Sequence, residues 1–366
     1  MKNERKKEGC VLNRHPIPRR GMPARMRRFL IVLAVLAVAA AAAVTTILLL
    51  RDAVIPAGAA AKVAVVGRRV AALENGRVTL YTLRGKTRAE FDAPGAEALD
   101  ASDGLGAAWG KHDAYLFTPS GKVRAHVTAD DPIVRVSCGA GVWAVATLSD
   151  GGACAVTLYD AYANQIDRIT NEDFADGDVF VDAGLSKSRL WVLCMNTSGA
   201  QTDSRIYFFD AAKSALLARI DAPGQTIAAV AADENCVFAI GTKQIICYNH
   251  SGIRQWQRAW EGLSLSARGQ SGGSAALVFS YDGNADARVL YRGQETTLSD
   301  LSGAVCVSSS GALYYARGAT LTRCRLDNIS AVQKERTFDT AVQTILAASA
   351  RRIVVFDGAR WQSCAM

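Results

Sequence analysis

The sequence predicts an all-β fold, a β-propeller of eight blades with seven as the alternative, preceded by one transmembrane α-helix. Three observations predict it. Residues 29–50 form an uncharged apolar run, a hairpin pattern recurs after it at intervals of 32 to 50 residues, and strands without polar alternation precede several of those hairpins.

The apolar run reads FLIVLAVLAVAAAAAVTTILLL. At about 1.5 Å of rise per residue, a helix of this length crosses a hydrocarbon core of ~30 Å once. Residues 1–28 carry ten basic side chains against Glu4 and Glu8. Cytoplasmic flanks retain Lys and Arg, so the N-terminus is expected in the cytoplasm and the C-terminal part outside the cell membrane. The run is longer than the roughly 7–15 residues of a cleaved leader's apolar region, which favours an uncleaved signal-anchor despite the small residues at 57–61. A lipoprotein is not expected, because the first cysteine beyond the run is Cys138. The expected organisation is a basic cytoplasmic tail at 1–28, a single-pass span in the lipid bilayer at 29–50, a short linker at 51–61 and an extracytoplasmic propeller at 62–366.

After the span the chain holds 32 basic and 32 acidic side chains, so the net charge of +8 belongs to the tail. That charge is a topology signal with attraction to anionic lipid, and it gives no argument for nucleic-acid binding.

In the exterior part, short segments rich in Val, Ile, Ala and aromatic residues alternate with Gly, Asp, Asn and Ser turns, and no amphipathic helix of three turns is evident. One hairpin type recurs: an apolar or aromatic pair ends a strand, a turn with Gly, Asp or Asn follows, and a polar strand leaves. Clear instances begin at Leu80, Leu116 and Cys247, and weaker ones at Leu158, Phe208, Leu290, Arg323 and Val355. Repeats of about 40 residues with several strands in each are expected of propeller blades. The last hairpin, from Val355 to Cys364, runs into the C-terminus, and Lys62 to Val66 is expected to complete its blade and close the ring. Ahead of the hairpins lie the apolar strands that contain Trp143, Trp191, Phe238 and Tyr314. Strands of that kind are buried on both faces, so these aromatics are expected as wedges between blades.

The segments Gly85-Lys86-Thr87-Arg88-Ala89-Glu90-Phe91 and Ser251-Gly252-Ile253-Arg254-Gln255-Trp256 resemble blades of quinoprotein-like and WD40-like propellers. The layout of basic tail, one span and outside propeller is similar to an uncharacterised bacterial family of envelope proteins, known only as a domain of unknown function. The resemblance is carried by turn and packing residues, and it implies a fold more than an activity.

Residues 269–273 match G-x-S-x-G, but a nucleophile elbow needs a strand before, a helix after, and a later His, and no His follows His250. The match is expected to be an inter-strand loop. His15, His112, His126 and His250 lack metal-ligand spacing. Asp282, Asn284 and Asp286 fit half of a calcium loop, but Ala287 stands where the turn glycine belongs and Gly293 where the bidentate acid belongs. The acidic stretch 172–178 is expected to be a solvated turn. Asn196, Asn249 and Asn328 begin N-x-S/T sequences.

Eight cysteines follow the span, scattered about one per blade, with no C-x-x-C pair. They are expected as buried free thiols. If Gly241-Thr242 forms a two-residue turn, Cys236 faces Cys247, and free thiols are expected there too.

No catalytic, cofactor-binding or metal-ligating residue is assigned, and no cofactor is expected. The expected function is a non-enzymatic binding or scaffold module at the cell envelope, with an envelope protein as partner. A signalling receptor or ligand sensor acting through a cytoplasmic partner is the alternative. A quinoprotein-type oxidoreductase is the remote one, since the adjacent cysteines and strong calcium loop expected of that class are missing from the sequence.

Overall fold

The computed structural model of the protein describes residues 33–40, 52–102, 104–199, 201–260, 263–271, 273–281, 286–299, 301, 304–349 and 351–366. The chain divides into two units, Met1–Arg51 and Asp52–Met366. In the first, the described part is a helix over residues 33–40 with exposed side chains. The rest of the expected span and the whole basic tail, with Cys10 and His15, lie outside the described residues. Among the described residues no helix is long and apolar enough to cross a membrane.

The second unit is an eight-bladed β-propeller, each blade a four-stranded antiparallel sheet. The first blade, for example, runs through Lys62–Val66, Arg69–Glu74, Arg77–Thr82 and Thr87–Asp92. First strands pack together between most neighbouring blades, and that of the eighth blade reaches that of the first. These inner strands, Lys62–Val66, Ala98–Ser102, Ile133–Cys138, Asp178–Ser186, Ile227–Ala232, Leu263–Ser271, Val305–Val307 and Thr344–Ser349, surround a central channel.

The eighth blade takes its outer strand from the start of the unit. Its first three strands are Thr344–Ser349, Arg352–Phe356 and Trp361–Ala365, and Ala53–Ile55 adds the fourth, pairing Ala53 with Ser363 and Ile55 with Trp361. Two expectations are thereby corrected. Lys62–Val66 does not complete the last blade but is the inner strand of the first, and the segment at 51–61 contains the closing strand. The cause is that the hairpin at Val355 joins the second and third strands of its blade, whereas the other seven hairpins join third and fourth strands. The eighth blade has no such hairpin, because its fourth strand comes from elsewhere in the chain.

The recurring turn is held by the side chain at its first position. In the first, third and fifth blades it accepts hydrogen bonds from backbone N–H groups two and four residues on, whereas Thr118 of the second blade donates to the Lys122 carbonyl (3.3 Å). Thr82 Oγ1 accepts from Arg84 (3.2 Å) and Lys86 (3.1 Å), Asp160 Oδ1 from Tyr162 (2.8 Å) and Asn164 (2.9 Å), and Asn249 Oδ1 from Ser251 (3.0 Å) and Ile253 (2.9 Å). Such side chains stand in for a backbone acceptor and so favour turns. The fourth position is left-handed, with φ of 74° at Gly85 and 83° at Gly121. These turns also press on the outer strand of the preceding blade, since a Cβ on Gly121 would lie 2.2 Å from Cβ of Ala89.

The core is a set of wedges. Eight apolar clusters among the described residues each lie between two neighbouring blades. Trp143, Trp191, Phe238 and Tyr314 are all buried in them, as their strands predict. The Trp143 indole N–H also donates to the Gly106 carbonyl of the preceding blade (3.2 Å). Gly184 is paired with Trp191, and a Cβ there would meet the indole at 2.4 Å, so the glycine makes room for the ring.

Two further expectations change. The hairpin of the fifth blade turns at Thr242-Lys243, with Gly241 still in its strand, so Cys236 pairs with Asn249 and Cys247 with Phe238. The acidic stretch at 172–178 is only partly solvated. It forms a short helical turn at Asn171–Asp173, buries Phe174, and ends in a buried Asp178. Asp178 Oδ1 accepts from Asn196 Nδ2 (2.9 Å) and Arg205 Nη1 (2.5 Å), and Oδ2 from the Tyr207 hydroxyl (2.7 Å). Burial, more than the neighbouring carboxylate, pushes the Tyr207 phenol up to about 12.

Candidate functional site in the central channel

The inner strands of the third to sixth blades each carry a β-bulge near their start. Register breaks fall between Ile133 and Arg135, Phe180 and Asp182, Ile227 and Ala229, and Leu265 and Ala267. A bulge re-aims side chains that regular alternation would send elsewhere. The inserted Val134 and Val181 are accordingly exposed, although apolar.

The residue after the bulge is charged in two adjacent blades. Arg135 Nε lies 3.9 Å from Asp182 Oδ1, and both side chains are about two-fifths exposed, at 41% and 40%. Asp100, on the inner strand of the second blade, ties that blade to the third: its Oδ2 accepts from the Cys138 amide (2.9 Å), and its carbonyl from the Cys138 thiol (3.7 Å). Arg268, in the sixth blade, donates from Nη1 to the Val230 carbonyl of the fifth (2.9 Å). Solvent reaches the Arg268 side chain along the channel. The surrounding protein, followed by the charge of Arg135, nevertheless holds its pKa below the ordinary arginine value, while Asp100 and Asp182 act in the opposite sense. The channel thus gathers two guanidinium and two carboxylate groups whose charges act on one another.

The inner strands of five blades end around a cavity of about 350 Å³, lined by Ser102, Ser186, Lys187, Arg268 and Ser309 among others, with Trp191 beneath. Lys187 is held in a left-handed conformation with φ of 55° and pairs with Glu234 of the fifth blade. The donor types gathered here suit carboxylate, carbonyl or hydroxyl groups of a ligand.

Residues 269–271 of the G-x-S-x-G match end the inner strand of the sixth blade, and Ser271 pairs with Ser274 across a hairpin turn. This corrects the expected loop. Gly269 serves packing, because a Cβ there would meet the Val307 side chain at 2.7 Å. His112 and His250 contact the carbonyls of Ala129 (3.1 Å) and Asp233 (3.0 Å), and His126 pairs with Asp113 while stacking on Tyr115. The structure keeps them apart, and no group of three or more His, Cys, Asp or Glu forms a metal-ligating cluster among the described residues. Asp282, Asn284 and Ala285 lie outside those residues. Of the N-x-S/T asparagines, Asn196 is buried beneath Asp178, Asn249 caps its turn, and Asn328 is exposed.

Sequence reasoning missed the charged channel residues, since Asp100 and Arg268 are far apart in the chain. The signal that marks them is a charged residue inside an otherwise apolar inner strand, at matching repeat positions in Ile133-Val134-Arg135 and Phe180-Val181-Asp182.

No protein-family model matches this chain, and no curated protein sequence matches it. Solved structures do. The computationally designed protein Ika8 superposes with a TM-score of 0.59 at 12% identity, covering 87% of this chain and 98% of its own. BamB from Moraxella catarrhalis gives 0.54 at 10% identity, covering 86% and 97%. The dihydro-heme d1 dehydrogenase NirN gives 0.52 at 13% identity, covering 84% and 73%. At such identities the likeness is one of fold, and the fold shared is the propeller.

Proposed function

We propose that this chain is a membrane-anchored, extracytoplasmic β-propeller that acts as a non-enzymatic binding or scaffold module at the cell envelope, with an envelope protein as its partner. The observation that carries the reading is the channel mouth, where strands from five blades gather Arg268, Lys187 and three serines around one cavity. These are recognition groups rather than a nucleophile paired with a base. The uncharged run at 29–50, behind ten basic residues, supports anchorage with the N-terminus inside.

The test is proximity labelling from the C-terminus of the protein in the cell that makes it. The expected result is a reproducible set of envelope proteins that disappears when 52–366 is deleted and the span kept, and that is depleted by Arg268→Ala. Labelling indistinguishable from a span-only control overturns the proposal.

A further inference from the structure

The fifth blade places two thiols on one face of its sheet. Phe238 is two residues from Cys236 and directly opposite Cys247, so both cysteines project to the same side, diagonally across neighbouring strands. Both line a cavity of about 260 Å³ that opens toward the sixth blade, together with Asp233, Trp256, Ser274 and Arg292. Cys247 is buried, while Cys236 is partly open to solvent.

Diagonal partners on an antiparallel pair are roughly 7–8 Å apart, beyond the usual spacing of a disulfide. An ion between two sulfurs fits more readily, because two metal–thiolate bonds of ~2.3 Å span more than twice a sulfur–sulfur bond. The neighbouring acid is already engaged: Asp233 accepts from the amides of Asn235, Cys236 and Ala275. No third His, Cys, Asp or Glu completes a cluster among the described residues. Zinc, which takes four ligands, is poorly served, whereas a soft monovalent ion is satisfied by thiolates alone.

We propose that Cys236 and Cys247 form a two-thiolate site for a soft, thiophilic metal ion of the copper(I) class, in the cleft between the fifth and sixth blades. Binding forms two metal–sulfur bonds and releases both thiol protons, with no change of oxidation state. The bound group carries one net negative charge, and Arg292 and Asp233 of opposite sign both line its cavity.

The test titrates the reduced full-length protein anaerobically with copper(I) against a chromogenic chelator, following tryptophan fluorescence, to which Trp256 in the cavity contributes, as a second readout. The expected result is one tightly held copper per chain with quenching. Affinity should fall more than about 100-fold in Cys236→Ser and in Cys247→Ser, beyond the loss that follows removal of a mere supporting group, with Cys306→Ser unchanged. Cys236→Ala, at the more open position, serves if a buried serine at 247 prevents folding. Failure of the protein to withdraw copper from the chelator, or undiminished binding in either Cys236 variant, overturns the proposal.

Discussion

Arg135 and Asp182 occupy the same position in adjacent blades, each directly after the bulge of its inner strand, and face one another at 3.9 Å. Across the sheet of the fourth blade stands an ion pair of the opposite character, Arg205 with Asp178, whose carboxylate side chain is fully buried. Half-exposed pairs add little to stability because solvent screens them. Arg135→Ala and Asp182→Ala are therefore each expected to change unfolding free energy by less than about 1 kcal/mol. Asp178→Ala leaves the buried Tyr207 hydroxyl without its acceptor and removes the closer partner of Arg205, though Arg205 retains Asp221 at 3.2 Å and Asn196 retains the Asp176 carbonyl at 3.0 Å, and is expected to cost about 3 kcal/mol. Urea unfolding of the three variants gives this order, and equal losses would contradict it.

Ring closure rests on three residues. Ile55 is 1% exposed and packs with Trp361, Val354 and Val70 at the junction of the eighth and first blades. A propeller beginning at Lys62 keeps every other strand but leaves the Trp361–Ala365 edge unpaired. Unpaired edges template association. Compared with a chain beginning at Asp52, it should melt earlier and aggregate on size-exclusion chromatography. Ile55→Ala alone should cost about 2–4 kcal/mol, and an unaltered melting temperature would show that closure lies elsewhere.

How much of this was legible follows from the range of each interaction. The repeat could be read because Thr82, Thr118 and Asn249 govern turns through contacts two to four residues away, and because the strands of Trp143 and Trp191 are apolar on both faces. Closure could not, since Ala53–Ile55 is three residues long and its partner lies more than 300 positions away. The Cys236 register was missed by a turn placed one residue early: Gly241 stays in its strand against the Thr226 and Gln244 carbonyls. The charged channel was invisible for a similar reason, because Asp100 and Arg268 stand on different blades and come within range of each other's charge only in the folded ring.

Acid sensitivity should concentrate at the same junction. Arg336 of the seventh blade forms a forked pair with Asp52, just ahead of the closing strand. Burial raises the Asp52 pKa, but hydrogen bonding and charge from Arg336 outweigh it, so the carboxyl sits below its ordinary value. A depressed carboxyl stabilises the fold above its unfolded pKa of about 4, and that contribution is lost as pH falls through the folded value. Asp52 is 40% exposed, so the effect is at most ~1 kcal/mol. Asp52→Asn should be less stable than the parent at pH 6 and should converge with it toward pH 3. Parallel stability curves over that range would refute the assignment.

The third blade departs from the turn rule in a way that can be measured. Ala163 stands at the position of Gly85, Gly121 and Gly252, with φ of 68°. A side chain in the left-handed region costs about 1–2 kcal/mol, of which glycine's greater freedom in the unfolded chain returns part. Ala163→Gly is expected to stabilise the propeller by about 0.5–1 kcal/mol. The reverse change at the equivalent turn, Gly121→Ala, adds a collision with Ala89 to the backbone strain, and should destabilise by more than Ala163→Gly gains. Denaturant midpoints of the two variants decide the matter: if Ala163→Gly destabilises, the turn of the third blade is held by forces other than those shared with its neighbours.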